Sequence, residues 1–135
     1  MKYLSTLPFL AFALQLVAQP NCNVYRWEGD TAQYQACLLL ENELPKYYQF
    51  SKEFHQLVDS AIAICPWYAY AYREKSAPYV KAGNFVEWKK IIDLAVKYDT
   101  LEYLPDRASL RYKFFADYRG TIEDIEFLEK KTNGT

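Results

Sequence analysis

The sequence predicts an all-α fold of three helix-turn-helix units, and three observations predict it. First, the chain resembles itself at 33–34 residues. Phe54, Val58, Ala61 and Pro66 stand 34 before Trp88, Ile92, Ala95 and Thr100, and Ser76, Tyr79, Asn84, Phe85 and Ile92 stand 33 before Ser109, Tyr112, Asp117, Tyr118 and Ile125. Second, apolar residues return at three- and four-residue spacing between glycine, asparagine and aspartate stop and cap signals. Third, alternating apolar runs bounded by turn pairs are absent, and the 135 residues hold only 4 glycines, so strands have no support.

Taken in order, the chain starts with Lys2 and an apolar run from Leu4 to Ala18. The run is shorter than the roughly 20 residues a bilayer span needs, and Pro8 weakens a spanning helix. Residues 1–18 therefore read as a secretory signal peptide, cleaved after Ala18. The alternatives are an N-terminal helix of the mature fold and a lipoprotein acylated at Cys22. At the latter, Gln19, Pro20 and Asn21 stand where small apolar residues are preferred. Export implies a periplasmic or secreted protein with no transmembrane span in its mature chain, in a compartment where disulfides persist. Three cysteines allow one bridge and one free thiol. A Cys22–Cys37 bridge is expected, tying the N-terminal arm (19–29) to the first helix and contributing about 3 kcal/mol by loop entropy. Cys65, just before Pro66, reads as a small buried hydrophobe.

The first unit (30–66) opens with Asp30 or Thr31 as helix cap. Trp27 is expected to pack over its open end. Its helices are expected over Ala32–Leu44 and Ser51–Cys65. In the second unit (67–100), Tyr72, Tyr79 and Val80 form an apolar stripe, and Gly83 ends that helix. Pro78 lies inside it and removes a bond to the Glu74 carbonyl, at a typical cost of about 3 kcal/mol, so a kink is expected. Asn84 with Glu87 forms a capping box, and Phe85, Trp88, Ile91, Ile92 and Ala95 make the next buried stripe. The third unit (101–131) has a helix over Leu104–Ala116, Asp117 as cap, and Ile122, Ile125 and Leu128 as the buried side. Glu123, Asp124, Glu126, Glu129 and Lys130 are expected to form the polar outer face of a terminal unit. Residues 132–135 are a tail. Tyr72, Tyr79, Trp88 and Tyr112 are expected in the core.

Function classes narrow quickly. Sixteen basic and 17 acidic side chains give a net charge of −1, which argues against a nucleic-acid partner. His55 is the single histidine. Cys37, Cys65 and His55 lack zinc-ligand spacing, no phosphate loop is present, and Glu123 and Asp124 diverge on one helix. No catalytic constellation, metal site or cofactor is expected, and the chain reads as a non-enzyme.

The repeat also carries a resemblance. The second unit reads Tyr72-x2-Lys75-Ser76-x2-Tyr79 … Trp88-x3-Ile92-x2-Ala95-x4-Thr100, after Phe54-x3-Val58-x2-Ala61-x4-Pro66. This resembles the tetratricopeptide repeat, and the segment AYAYREKSAPYVKAGNF is similar to small exported tetratricopeptide proteins of Gram-negative bacteria. The resemblance covers about residues 30–131. It implies a short right-handed solenoid whose first helices line a concave, non-catalytic surface for a protein or peptide partner. Aligned to the family pattern, that surface carries Tyr70, Arg73, Ala77, Lys81, Tyr103, Asp106, Leu110, Lys113 and Phe114. Arg73, Lys81 and Lys113 are placed to hold a carboxylate, although Ala77 stands where carboxylate-clamp grooves use asparagine. The second expectation is a structural subunit of an envelope assembly, self-associating or docking by its ends or convex face. A third, weaker class is a redox thiol protein using Cys65.

Overall fold

The computed structural model describes residues 21–133, so the expected signal peptide and its cleavage at Ala18 lie outside the described residues. Among those residues the chain is all-α, with no strand. Its helices are α1 (Cys22–Glu28), α2 (Thr31–Glu43), α3 (Lys52–Ile64), α4 (Ala69–Lys81), α5 (Phe85–Tyr98), α6 (Thr100–Phe115) and α7 (Tyr118–Asn133). A short 3-10 turn, Leu44–Lys46, follows α2. Each helix packs on the next, and α4 also touches α6.

Local chemistry sets the boundaries. Asp30, Ser51, Asn84 and Asp99 each accept a hydrogen bond from the backbone N–H three residues on, satisfying a donor with no partner inside the helix. Asp117 does the same for Gly120. Gly29 and Gly83 end α1 and α4 at φ +80 and +69, where a side chain is strained. Helix α4 runs on past Pro78 to Lys81.

The repeat positions make the core. Phe54, Val58 and Ala61 on α3 and their counterparts Trp88, Ile92 and Ala95 on α5 are all at most 1 % exposed. The first three pack with Ala36, Cys37, Leu40, Cys65 and Tyr68. The second three pack with Tyr72 and Val80, and α6 covers them through Phe115, whose ring lies 4.7 Å from that of Trp88.

Several expectations are corrected. The arm 19–29 is helical over Cys22–Glu28, and Trp27 is 77 % exposed, so it covers nothing. Helix α6 begins at Thr100 rather than Leu104, because Asp99 ends α5 and caps α6 at once. Tyr112 is 59 % exposed and not core. Ile122 and Ile125 are also exposed, whereas Asp124, assigned to the polar face, is buried. The reason is positional. Ile125 repeats Ile92, which is buried because a following helix covers α5, and no described helix covers α7 in that way. Instead α7 meets α6 through charge. Arg107 and Arg111 both reach Asp124, at 2.5 and 3.3 Å. Gly120 admits Arg111 against the helix, since a Cβ there would lie 1.7 Å from Arg111 Nη1.

Candidate functional site

The N-terminal halves of α4 and α6 lie side by side, and α1 forms a third wall. Asn21 and Val24, with Tyr25 on α1, face Tyr70, Arg73 and Glu74 on α4 and Asp99, Glu102, Tyr103 and Asp106 at the start of α6. Together they enclose a cleft of about 420 Å³. The Cys22–Cys37 disulfide, with Cα atoms 5.5 Å apart, fixes α1 to α2 and so holds that wall in place.

The predicted surface residues divide. Tyr70, Arg73, Tyr103 and Asp106 come together in the cleft. Tyr70 and Tyr103, like Arg73 and Asp106, are 33 residues apart, so the repeat itself sets equivalent side chains next to each other. Ala77, Lys81, Leu110, Lys113 and Phe114 do not line it. Lys81 bonds Gln49, Leu110 packs against the Trp88 cluster, and Lys113 and Phe114 are exposed elsewhere.

Its electrostatics reverse the expected carboxylate-holding role. Arg73 is already engaged, with Nη1 2.6 Å from Glu74 and Nε 3.4 Å from Asp106. Four carboxylates (Glu74, Asp99, Glu102 and Asp106) line the cleft against this one guanidinium. With carboxylates outnumbering the guanidinium, the lining is net negative and draws cations. Among the described residues, no three His, Cys, Asp or Glu side chains come close enough to hold a metal ion.

Beside the cleft lies a smaller cavity of about 120 Å³, sharing Tyr25, Tyr70, Asp99 and Tyr103 with it and adding Tyr68. The Tyr68 ring stands edge-on to Tyr25 at 5.8 Å and tilted to Tyr70 at 5.9 Å. Burial pushes the hydroxyls of Tyr25, Tyr68, Tyr70 and Tyr103 upward, Tyr70 to about 12, so all four stay protonated at neutral pH. Trp67 also lines it, and its indole N–H donates to Asp30 at 2.9 Å.

Sequence reasoning missed Tyr25, Glu74, Asp99, Glu102 and Tyr68 as site residues. Asp99 with Glu102 carried a visible signal, the same cap spacing as Asn84 with Glu87. The contribution of α1 carried none, because its approach is set by tertiary packing and the disulfide.

Elsewhere the chemistry is sparse. His55 packs edge-on against Phe54 at 5.7 Å, beside Tyr79. Cys65 is fully buried, and desolvation raises its thiol above the ordinary value, the opposite of an activated cysteine. No described helix is long and apolar enough to cross a membrane. No protein-family model matches the chain, and neither a curated protein nor a solved structure does.

Proposed function

We propose that the chain is a non-catalytic binding module of the cell envelope, built of three tetratricopeptide-like units in a short right-handed solenoid and exported by its N-terminal segment. Its partner is a protein or peptide that docks between α1, α4 and α6. The observation that carries this reading is the convergence of Tyr70, Arg73, Tyr103 and Asp106, equivalent positions of successive helix pairs, in one cleft of about 420 Å³. Tyrosine and arginine supply large contact area and hydrogen bonds at low ordering cost.

The test is capture from a periplasmic extract by the natural chain and by a Tyr70→Ala/Tyr103→Ala variant of equal helicity. Arg73 is left in place, because its loss strands the buried Glu74. A partner held by the first and lost from the second supports the reading, and equal capture contradicts it.

A second reading has its own observation. Tyr112, Ile122 and Ile125 leave an apolar hollow of about 610 Å³ open between α6 and α7. This favours an assembly subunit docking by that end. A concentration-dependent oligomer that Ile125→Lys dissolves supports it; a chain that stays monomeric contradicts it.

A further inference from the structure

We infer that the cleft between α1, α4 and α6 takes an organic cation, a protonated amine or guanidinium, which enters past the carboxylates and reaches the buried Tyr68 hydroxyl. This rests on the cleft being the binding site and names the chemistry of what it binds.

Two independent observations meet here. The first is charge. Four carboxylates line the opening, and the one guanidinium among them is already paired to two of those carboxylates. Asp99 and Glu102 are the remaining pair, and both act electrostatically on the hydroxyls of Tyr25 and Tyr103. The second is an orphaned group. Tyr68 is 1 % exposed, and its hydroxyl has no hydrogen-bond partner among the described residues. It lines a small cavity that shares Tyr25, Tyr70, Asp99 and Tyr103 with the cleft, and it feels the hydroxyls of Tyr25, Tyr70 and Tyr103. A buried hydroxyl without a partner is costly, and an arriving polar group repays that cost.

The lining selects among cations. The carboxylates do not converge as metal ligands do, whereas the tyrosine hydroxyls around the adjoining cavity offer oxygen acceptors for the N–H groups of a nitrogen cation. Because the tyrosine hydroxyls remain protonated, their oxygens accept N–H groups without adding charge. A chain bearing a terminal ammonium or guanidinium matches carboxylates at the cleft with hydroxyl oxygens beside them. The amine belongs either to a free polyamine or to a basic side chain of a partner protein.

Calorimetry with the full-length chain tests this with three probes: spermidine, a capped tripeptide with a central lysine, and its counterpart with a central glutamate. Both amines are expected to bind and the glutamate peptide to fail. Binding of the lysine peptide alone assigns the site to a protein side chain, binding of spermidine alone assigns it to a free polyamine, and either supports the cation. Asp99→Asn keeps the α6 cap. Combined with Glu102→Gln it is expected to weaken amine binding roughly threefold to tenfold, and raised salt is expected to weaken binding to the natural chain. Tyr68→Phe is expected to lower affinity with helicity unchanged. Unchanged affinity in both variants overturns the inference. Equal or tighter binding of the glutamate peptide overturns it too, while leaving the peptide-binding reading in place. No binding by any probe also overturns it; only if capture then survives Tyr70→Ala/Tyr103→Ala does the broader reading fall as well.

Discussion

Arg107 grips Asp124 with two nitrogens, Nε at 3.0 Å and Nη2 at 2.5 Å, and thereby fastens α6 to α7 by charge. Asp124 is buried and also faces Arg111, while Arg107 reaches back to Asp93 on α5 at 2.6 Å. Three helices thus share one ionic junction where an apolar stripe was expected.

Removing a single partner from such a junction leaves an uncompensated buried charge. Asp124→Ala is expected to lower unfolding free energy by about 3–5 kcal/mol in urea titration. Asp93→Ala, at a more exposed site, is expected to cost about 1 kcal/mol or less. Equal effects from the two contradict the assignment.

Gly120 is needed for the same junction. A methyl group there meets Arg111 Nη1 at 1.7 Å and Asp117 Oδ2 at 2.4 Å, both held by ion pairs. Gly120→Ala therefore loses about 1–3 kcal/mol by crowding, although alanine is the better helix former. A stabilised variant in the same titration contradicts this account.

The tyrosine cluster sets an alkaline limit. Folded values raised above the unfolded value of about 10 mean that each protonated hydroxyl contributes fully below that pH. The contribution is lost as pH rises through the folded values, near 12 for Tyr70 and also raised for Tyr25, Tyr68 and Tyr103. Circular dichroism is expected to show stability falling between about pH 10 and 12, with a smaller fall in Tyr70→Phe. An identical profile in the variant contradicts the attribution.

Cysteine labelling separates the three thiols. Iodoacetamide is expected to leave the folded chain unmodified, because Cys65 is buried with a raised thiol and Cys22 is bridged to Cys37. Denaturation without reductant exposes one site, and reduction exposes all three. Cys22→Ala/Cys37→Ala is expected to cost about 3 kcal/mol and, by loosening α1, to weaken binding in the cleft. Rapid labelling of Cys65 in the folded chain contradicts its placement.

The helices were largely legible in the sequence because their signals are local. Asn84 and Asp117 cap where the chain pattern put them, and Trp88, Ile92 and Ala95 recur at the spacing that buries one face. Burial at the C-terminal end was not legible, because periodicity marks an apolar face without saying that anything covers it. Ile125 has the pattern of Ile92 and lacks its cover. In the cleft, the 33-residue spacing of Tyr70 with Tyr103 and of Arg73 with Asp106 was readable. The pairing of Arg73 with Glu74, the wall formed by α1 and the buried Tyr68 hydroxyl depend on tertiary placement, which no local spacing encodes.

Site-specific photocrosslinking in cells tests the central claim most directly, with the crosslinker placed at Val24 on the cleft wall and, separately, at Ile122 on the open C-terminal face. The account predicts an adduct with a different protein from position 24, abolished by Tyr70→Ala/Tyr103→Ala, and none that depends on those tyrosines from position 122. Adducts from position 122 alone, or only copies of this chain joined to each other, would contradict it.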